Sequence, residues 1–227
     1  MIRKKIMVVV AHPDDEILGC GGAIAKNIKE GGEVFSVILG EGITSRNNER
    51  DVKSSAKEIK ELREHSIRAN NVLGVKKVYF ADFPDNRFDS VPLLDLVKYI
   101  ENIKNEIRPD VVFTHFENDL NIDHQITYRA VLTATRPLRE ETVTDIYTFE
   151  TVSSTEWNYP LRFSPNIYVD IDDYIELKTK AIAEYQTEMR NYPHPRSIEF
   201  LKENARYWGN RIGKNYVEPM ICIRKFC

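Results

Sequence analysis

Apolar positions alternate along the chain between short unbroken runs and helical periods. Ile6–Val10 is a continuous apolar run of strand length, followed at once by His12-Pro13-Asp14-Asp15-Glu16. Ile17–Lys29 predicts a helix, ended by Gly31-Gly32. Val34–Leu39 predicts a second strand and Gly40–Asn48 a polar loop. Asn48–Leu73 predicts a long charged helix closed by Gly74, then Lys77–Phe80 a short strand. Ala81–Ser90 is a loop rich in Asp, Asn and Pro. Val91–Ile107 carries apolar spacing near 3.6 and predicts a helix stopped by Arg108-Pro109. Val111–Thr114 predicts a strand, His115–Ile122 a polar loop and Asp123–Thr135 a helix. Strands are expected at Asp145–Phe149 and Asn166–Ile171, helices near Asp173–Arg190 and Ser197–Ile212, and a last strand at Glu218–Arg224.

This alternation predicts a single α/β domain over residues 1–227. Its architecture is a doubly wound, Rossmann-like, mostly parallel sheet with helices on both faces and right-handed crossovers. Sheets of this kind hold ligands outside the carboxyl ends of their strands. Two polar clusters follow strands directly, His12–Glu16 and His115–His124. Both are expected to open into one crevice, although they lie far apart in the chain.

Composition narrows the function classes. Hydrophobic residues make up 42% and charged residues 30%, as in an ordinary globular chain rather than a disordered one. The formal net charge of −3, with no basic tail, argues against a nucleic-acid partner. Cys20, Cys222 and Cys227 form no CxxC pair, so neither a disulfide framework nor a thiolate metal site is suggested. Met1–Lys5 is basic, but the apolar run after it stops at Ala11, too short for a secretory signal. No stretch approaches the ~20 apolar residues of a membrane span. A cytoplasmic location is expected, and a homo-oligomer is left open.

Three of the five histidines fall in the two polar clusters. His12 and Asp15, three apart in a strand-to-helix turn, can aim inward together, and His124 begins the helix after the other strand. Two imidazoles and one carboxylate, with a position open for water, form a common catalytic zinc set. Asp14 beside them is left free to act as a general base. Either Asp14 or Asp15 could instead cap the helix at Ile17, and Asp123 could cap the next one. His65 lies in the charged run Glu49–Arg68, expected to be a solvated face, with Arg46, Arg50 and Arg63 as possible borders of the crevice. Gly19, Gly21 and Gly22 do not have nucleotide-loop spacing or position and are read as close helix–sheet packing. Cys20 is read as a small buried residue.

"AHPDDE" at 11–16 and "DLNIDH" at 119–124 together resemble the PIG-L/LmbE-like zinc N-deacetylases. "GCGGAIA" at 19–25, "LGV" at 73–75, "PDN" at 84–86 and "PDVVFTH" at 109–115 fall in the family's order. The resemblance covers at least residues 5–135, and "SSTEW" and "YPHPRS" look like the branch often associated with sugar biosynthesis. It implies one Zn2+ per chain held by His12, Asp15 and His124, with Asp14 as catalytic base and Asp123 orienting a histidine. Many members carry a histidine three residues before the last ligand, where this chain has Asn121. The oxyanion role is therefore open between His115 and Asn121. Arg46, Asp85, Arg87, Asn121, His194 and Arg196 are candidate substrate contacts, and Arg136 is a candidate phosphate contact.

The implied activity is hydrolysis of the N-acetyl group of an N-acetylglucosamine-type amino sugar, free or conjugated, releasing acetate. The alternatives are another metal-dependent amidase or phosphoesterase, or a catalytically silent sugar- or nucleotide-binding module.

Overall fold

A computed structural model describes residues 4–226; Met1–Arg3 and Cys227 lie outside the described residues. The elements run β1 (Lys5–Val10), α1 (Asp15–Lys29), β2 (Glu33–Gly40), α2 (Ala56–Leu73), β3 (Lys77–Phe83), α3 (Leu93–Ile107) and β4 (Val111–His115). They continue as α4 (Ile122–Ala134), β5 (Asp145–Phe149), β6 (Ile167–Asp170), α5 (Ile175–Ile182), α6 (Ile198–Asn210) and β7 (Val217–Lys225). The seven strands form one sheet in the order β3-β2-β1-β4-β5-β7-β6. β3, β2, β1, β4 and β5 are parallel, and β7 runs antiparallel to both β5 and β6.

β1 is apolar at every position because both of its faces are covered. Ile6, Val8 and Val10 enter one core with Ile17 and Ile24 of α1 and Ile182 of α5. Met7, Val9 and Ala11 enter the opposite core with Leu96 and Ile100 of α3 and Val131 of α4. β1 lies between β2 and β4, so successive crossovers leave it in opposite directions. The crevice of a doubly wound sheet opens at such a switch point, here at the carboxyl ends of β1 and β4.

α1 reaches the sheet more closely than side chains would allow. A Cβ on Gly19 would overlap the Phe149 ring, and one on Gly22 would press on Ile171, so the glycines serve close packing as expected. The helix breaks at Cys20, which is buried and non-helical (φ −144°, ψ 22°). Polar groups freed at the break find partners from distant elements. Lys178 Nζ donates to the Leu18 carbonyl (2.8 Å) and to Glu218 (2.7 Å). Glu218 accepts the Gly22 and Ala23 amides (2.8 and 2.7 Å).

Three local expectations are corrected. The helix expected from Asn48 begins only at Ala56. Asp51 accepts the Lys53 and Ser54 amides and ties the preceding segment into a turn. The helix expected as far as Arg190 ends at Ile182. The chain then turns the Tyr185 ring into the core, where its hydroxyl donates to Glu16 (2.6 Å). His65 is 4% exposed rather than solvated. It shares the inward face of α2 with Leu62, Ser66 and Ala69, at helical spacing.

Candidate active site

The clusters at the ends of β1 and β4 meet. His12 Nδ1 lies 3.5 Å from Asp15 Oδ2, and His124 Nε2 lies 3.3 Å from the same oxygen. The two ring nitrogens are 3.3 Å apart. Three donors bound about 2.1 Å from one tetrahedral ion stand roughly 3.4 Å apart, so this triangle has the size of a metal-ligand face. Asp15 Oδ1 has no hydrogen-bond partner among the described residues. The donor set therefore fits a metal ion.

Each histidine is held from behind by an acid. His12 Nε2 meets Asp123 Oδ2 at 3.0 Å, and the other Asp123 oxygen accepts the Phe88 amide (2.9 Å). His124 Nδ1 is 3.1 Å from Asp119 Oδ1. An acid on the second nitrogen fixes the tautomer and leaves the first nitrogen free to coordinate. The same acids concentrate negative charge. Burial alone would lower both imidazole pKa values. Asp15 and Asp119 outweigh it at His124 and raise that residue to about 9. Asp123 and Asp15 also raise His12.

Asp14 sits at the helix start in a left-handed conformation (φ 102°, ψ −28°) that non-glycine residues rarely adopt. Its side chain makes no capping bond, and Asp15 bonds the His12 amide (2.8 Å) rather than the helix start. Asn121 is the residue that caps α4, accepting the Asp123 amide (2.8 Å). Asp14 Oδ2 is 3.0 Å from the Arg196 guanidinium, while Oδ1 has no partner among the described residues. Burial pushes the Asp14 carboxyl well above the usual range, and Arg196 opposes the shift. A buried carboxylate with raised proton affinity and one free oxygen is suited to proton transfer.

A cleft of about 180 Å³ opens over this group. His12, Asp14, Arg46, Asp85, Asn121, His124 and Arg196 are among the residues that line it. His115 is corrected. It is fully buried, accepts the Ala11 amide on Nε2 (2.9 Å) and pairs Nδ1 with Thr151 (3.1 Å). Its ring stacks on His124 at 3.9 Å, and burial lowers its pKa to about 3. With both nitrogens engaged below the cleft, it has no donor for an oxyanion. Arg87 is exposed outside the cleft wall. His194 lies behind the wall, accepting the Arg196 amide (3.0 Å). Arg50 pairs with Glu41, Arg63 with Asp82, and Arg136 lies near Glu101 past the far end of α4.

Sequence reasoning missed Asp119 and Glu188. Asp119 carried a signal, as an acid at the head of "DLNIDH". Glu188 carried none, because only tertiary folding brings its segment over the β1 end.

The PIG-L model, described as GlcNAc-PI de-N-acetylase, matches residues 7–135. The chain belongs to the PIG-L family. This PIG-L protein is 29% identical to the uncharacterized deacetylase YaiS of Escherichia coli K12 over 191 residues, 82% of this chain and 92% of that one. It is 25% identical to the diacetylchitobiose deacetylase of Thermococcus kodakarensis over 226 residues, 95% of this chain and 81% of that one. Its fold matches that of the N,N′-diacetylchitobiose deacetylase of Pyrococcus horikoshii with a TM-score of 0.77. That match is 24% identical and covers 98% of this chain and 85% of the other. The sheet of this PIG-L protein is therefore the frame of a known deacetylase. Among its described residues no helix is long and apolar enough to cross a membrane.

Proposed function

We propose that this PIG-L protein is a zinc-dependent N-deacetylase that removes the acetyl group from an N-acetylglucosamine-type amino sugar, releasing acetate. His12, Asp15 and His124 hold one Zn2+ per chain, and Asp14 is the general base. The observation that carries the reading is the 3.3–3.5 Å triangle of donors beside a carboxylate oxygen left without a partner. Two imidazoles and one carboxylate suit zinc and leave a position open. Bound zinc supplies Lewis acidity and lowers the pKa of a coordinated water towards ~7.

The chain's own groups handle the proton. Asp14 Oδ1 takes a proton from the water that attacks the acetyl carbonyl carbon. As the C–N bond breaks, Asp14 returns that proton to the departing nitrogen. Acetate and a free amine result. Arg196 holds Asp14 at its other oxygen. Asn121 Nδ2 gives one hydrogen to Asn86 Oδ1 (2.7 Å) and has a second for charge developing on the carbonyl oxygen. Asp123 holds His12 in the coordinating tautomer, and Asp119 places its charge 3.1 Å from His124 Nδ1.

The single-zinc reading is favoured over a two-metal phosphoesterase. The other possible cluster, His12, Asp85 and Asp123, shares His12 with the first. Its oxygens that face His12 Nε2 are Asp123 Oδ2 (3.0 Å) and Asp85 Oδ1 (3.4 Å), and Asp85 Oδ1 also accepts Asn86 Nδ2 (3.1 Å).

Asp14→Asn tests the assignment. Acetate release from N,N′-diacetylchitobiose is expected to fall at least about 100-fold, with one zinc per chain retained. Near-normal turnover in that variant would remove Asp14 from the mechanism.

A further inference from the structure

The cleft contains two arginines, and neither is free. Arg46 donates to Glu188 Oε1 at 2.6 Å. Arg196 lies 3.0 Å from Asp14 and 3.5 Å from Glu188 Oε2. Glu188 is buried, and Thr187 Oγ1 holds it further through Oε1 (3.0 Å). Three carboxyl groups of the cleft wall, Asp14, Asp85 and Glu188, stand around its two guanidinium groups. Asp119 and Asp123 add negative charge directly below.

We infer that Glu188 determines the substrate class: by occupying both cleft arginines it restricts the enzyme to uncharged N-acetyl sugars and their neutral glycosides. This rests on the deacetylase reading above. A phosphate or carboxylate next to the sugar would have to share Arg46 with Glu188, which already holds one terminal nitrogen of the half-exposed guanidinium. That would set the new anion beside a buried carboxylate, and discrimination arises from such like-charge contacts. A neutral hydroxyl group meets no such repulsion, because it can donate to the carboxylates already present.

The rim agrees. About 180 Å³ is less than the 300–1,000 Å³ typical of drug-sized pockets, so groups beyond the first sugar lie outside the cleft. Trp157 and Leu120, the latter next to Asn121 of the cleft wall, are exposed. The Trp157 amide donates to the carbonyl of Ser154, a cleft-wall residue, and its ring meets His194 edge-on at 6.0 Å. Trp157 thus offers an apolar face beside the cleft to whatever extends from it.

The test compares two probes that differ mainly in charge at C1: the methyl glycoside of N-acetylglucosamine and N-acetylglucosamine 1-phosphate. With zinc-loaded wild-type enzyme, kcat/KM from acetate release is expected to favour the glycoside at least 100-fold. Glu188→Gln keeps the side-chain shape while releasing Arg46, and should narrow that ratio at least tenfold. The ratio is the readout, so a general loss of activity in the variant does not obscure it. Equal or better use of the phosphate by wild type, or an unchanged ratio in the variant, would overturn the role of Glu188 and leave the deacetylase reading intact. Acetate from neither probe nor from N,N′-diacetylchitobiose would overturn both.

Discussion

Arg196 places its guanidinium 3.0 Å from Asp14, although 181 residues separate the two in the chain. The pair joins the strained start of α1 to the loop before α6. Arg196 also donates to Ser153 Oγ (2.9 Å), which fixes it to a third loop. The free oxygen of Asp14 is aimed from both directions: left-handed backbone on one side, a cation on the other.

Arg196→Gln is therefore expected to alter the base more than the metal site. The guanidinium holds the Asp14 pKa down against burial. Its removal should move the acidic limb of the kcat–pH profile upward and lower kcat at neutral pH about tenfold or more. Zinc content should stay at one per chain. Arg196→Lys should recover part of the shift. A pH profile identical to wild type would show that Asp14 does not need this partner.

Asp119→Ala should weaken zinc binding by about 10–100-fold, the usual effect of losing an acid that orients a metal-binding histidine. Asp119 also accepts Thr155 Oγ1 (2.5 Å) and the Asn121 amide (2.9 Å), so some loop order will be lost as well. Titration against a competing chelator measures the affinity. Asp119→Asn, which keeps the acceptor but not the charge, should fall between the two.

The metal-free protein should lose stability as pH rises. His124 has a folded pKa of about 9, above its unfolded value of 6.5. The stabilisation from its proton is complete below pH 6.5 and is lost as pH rises through 9. A shift of that size corresponds to roughly 3 kcal/mol. Glu16 acts in the same direction over a lower window, since burial raises it from 4.5 to about 7. His115, lowered to about 3, opposes this below pH 6.5, so chemical denaturation of chelated protein from pH 7 to 9.5 should show the decline. Saturating zinc should flatten its upper part, because the ion replaces the proton. A chelated protein more stable at pH 9.5 than at pH 7 would contradict the charge balance of the site.

Gly19→Ala should destabilise the fold by about 1–3 kcal/mol, the range for overfilling a packed interior. The new methyl would enter the Phe149 ring, on the strand beside β4. Urea unfolding is the measurement, and an unchanged midpoint would show that the Phe149 ring yields to the methyl without cost.

The sequence by itself determined the layers and most of the candidate metal site. Strands buried on both faces must be apolar throughout, so Ile6–Val10 and Val111–Thr114 were legible as central strands. A histidine and acids directly after such strands had to lie at the carboxyl edge, which brought His12, Asp15 and His124 together. Local spacing could not determine where long connections return. Asp119 lay within a legible motif, but its pairing with His124 depends on how one loop folds back. His115 stood in the expected place, yet its ring turned inward to bond the Ala11 amide, a choice made by three-dimensional packing. Glu188 and Arg196 reach the cleft from the far end of the chain, through segments with no periodic pattern. The sequence thus decided which donors could coordinate. Only the tertiary structure decided which charges neutralise one another around them, because that depends on distances between segments whose contacts no local period encodes.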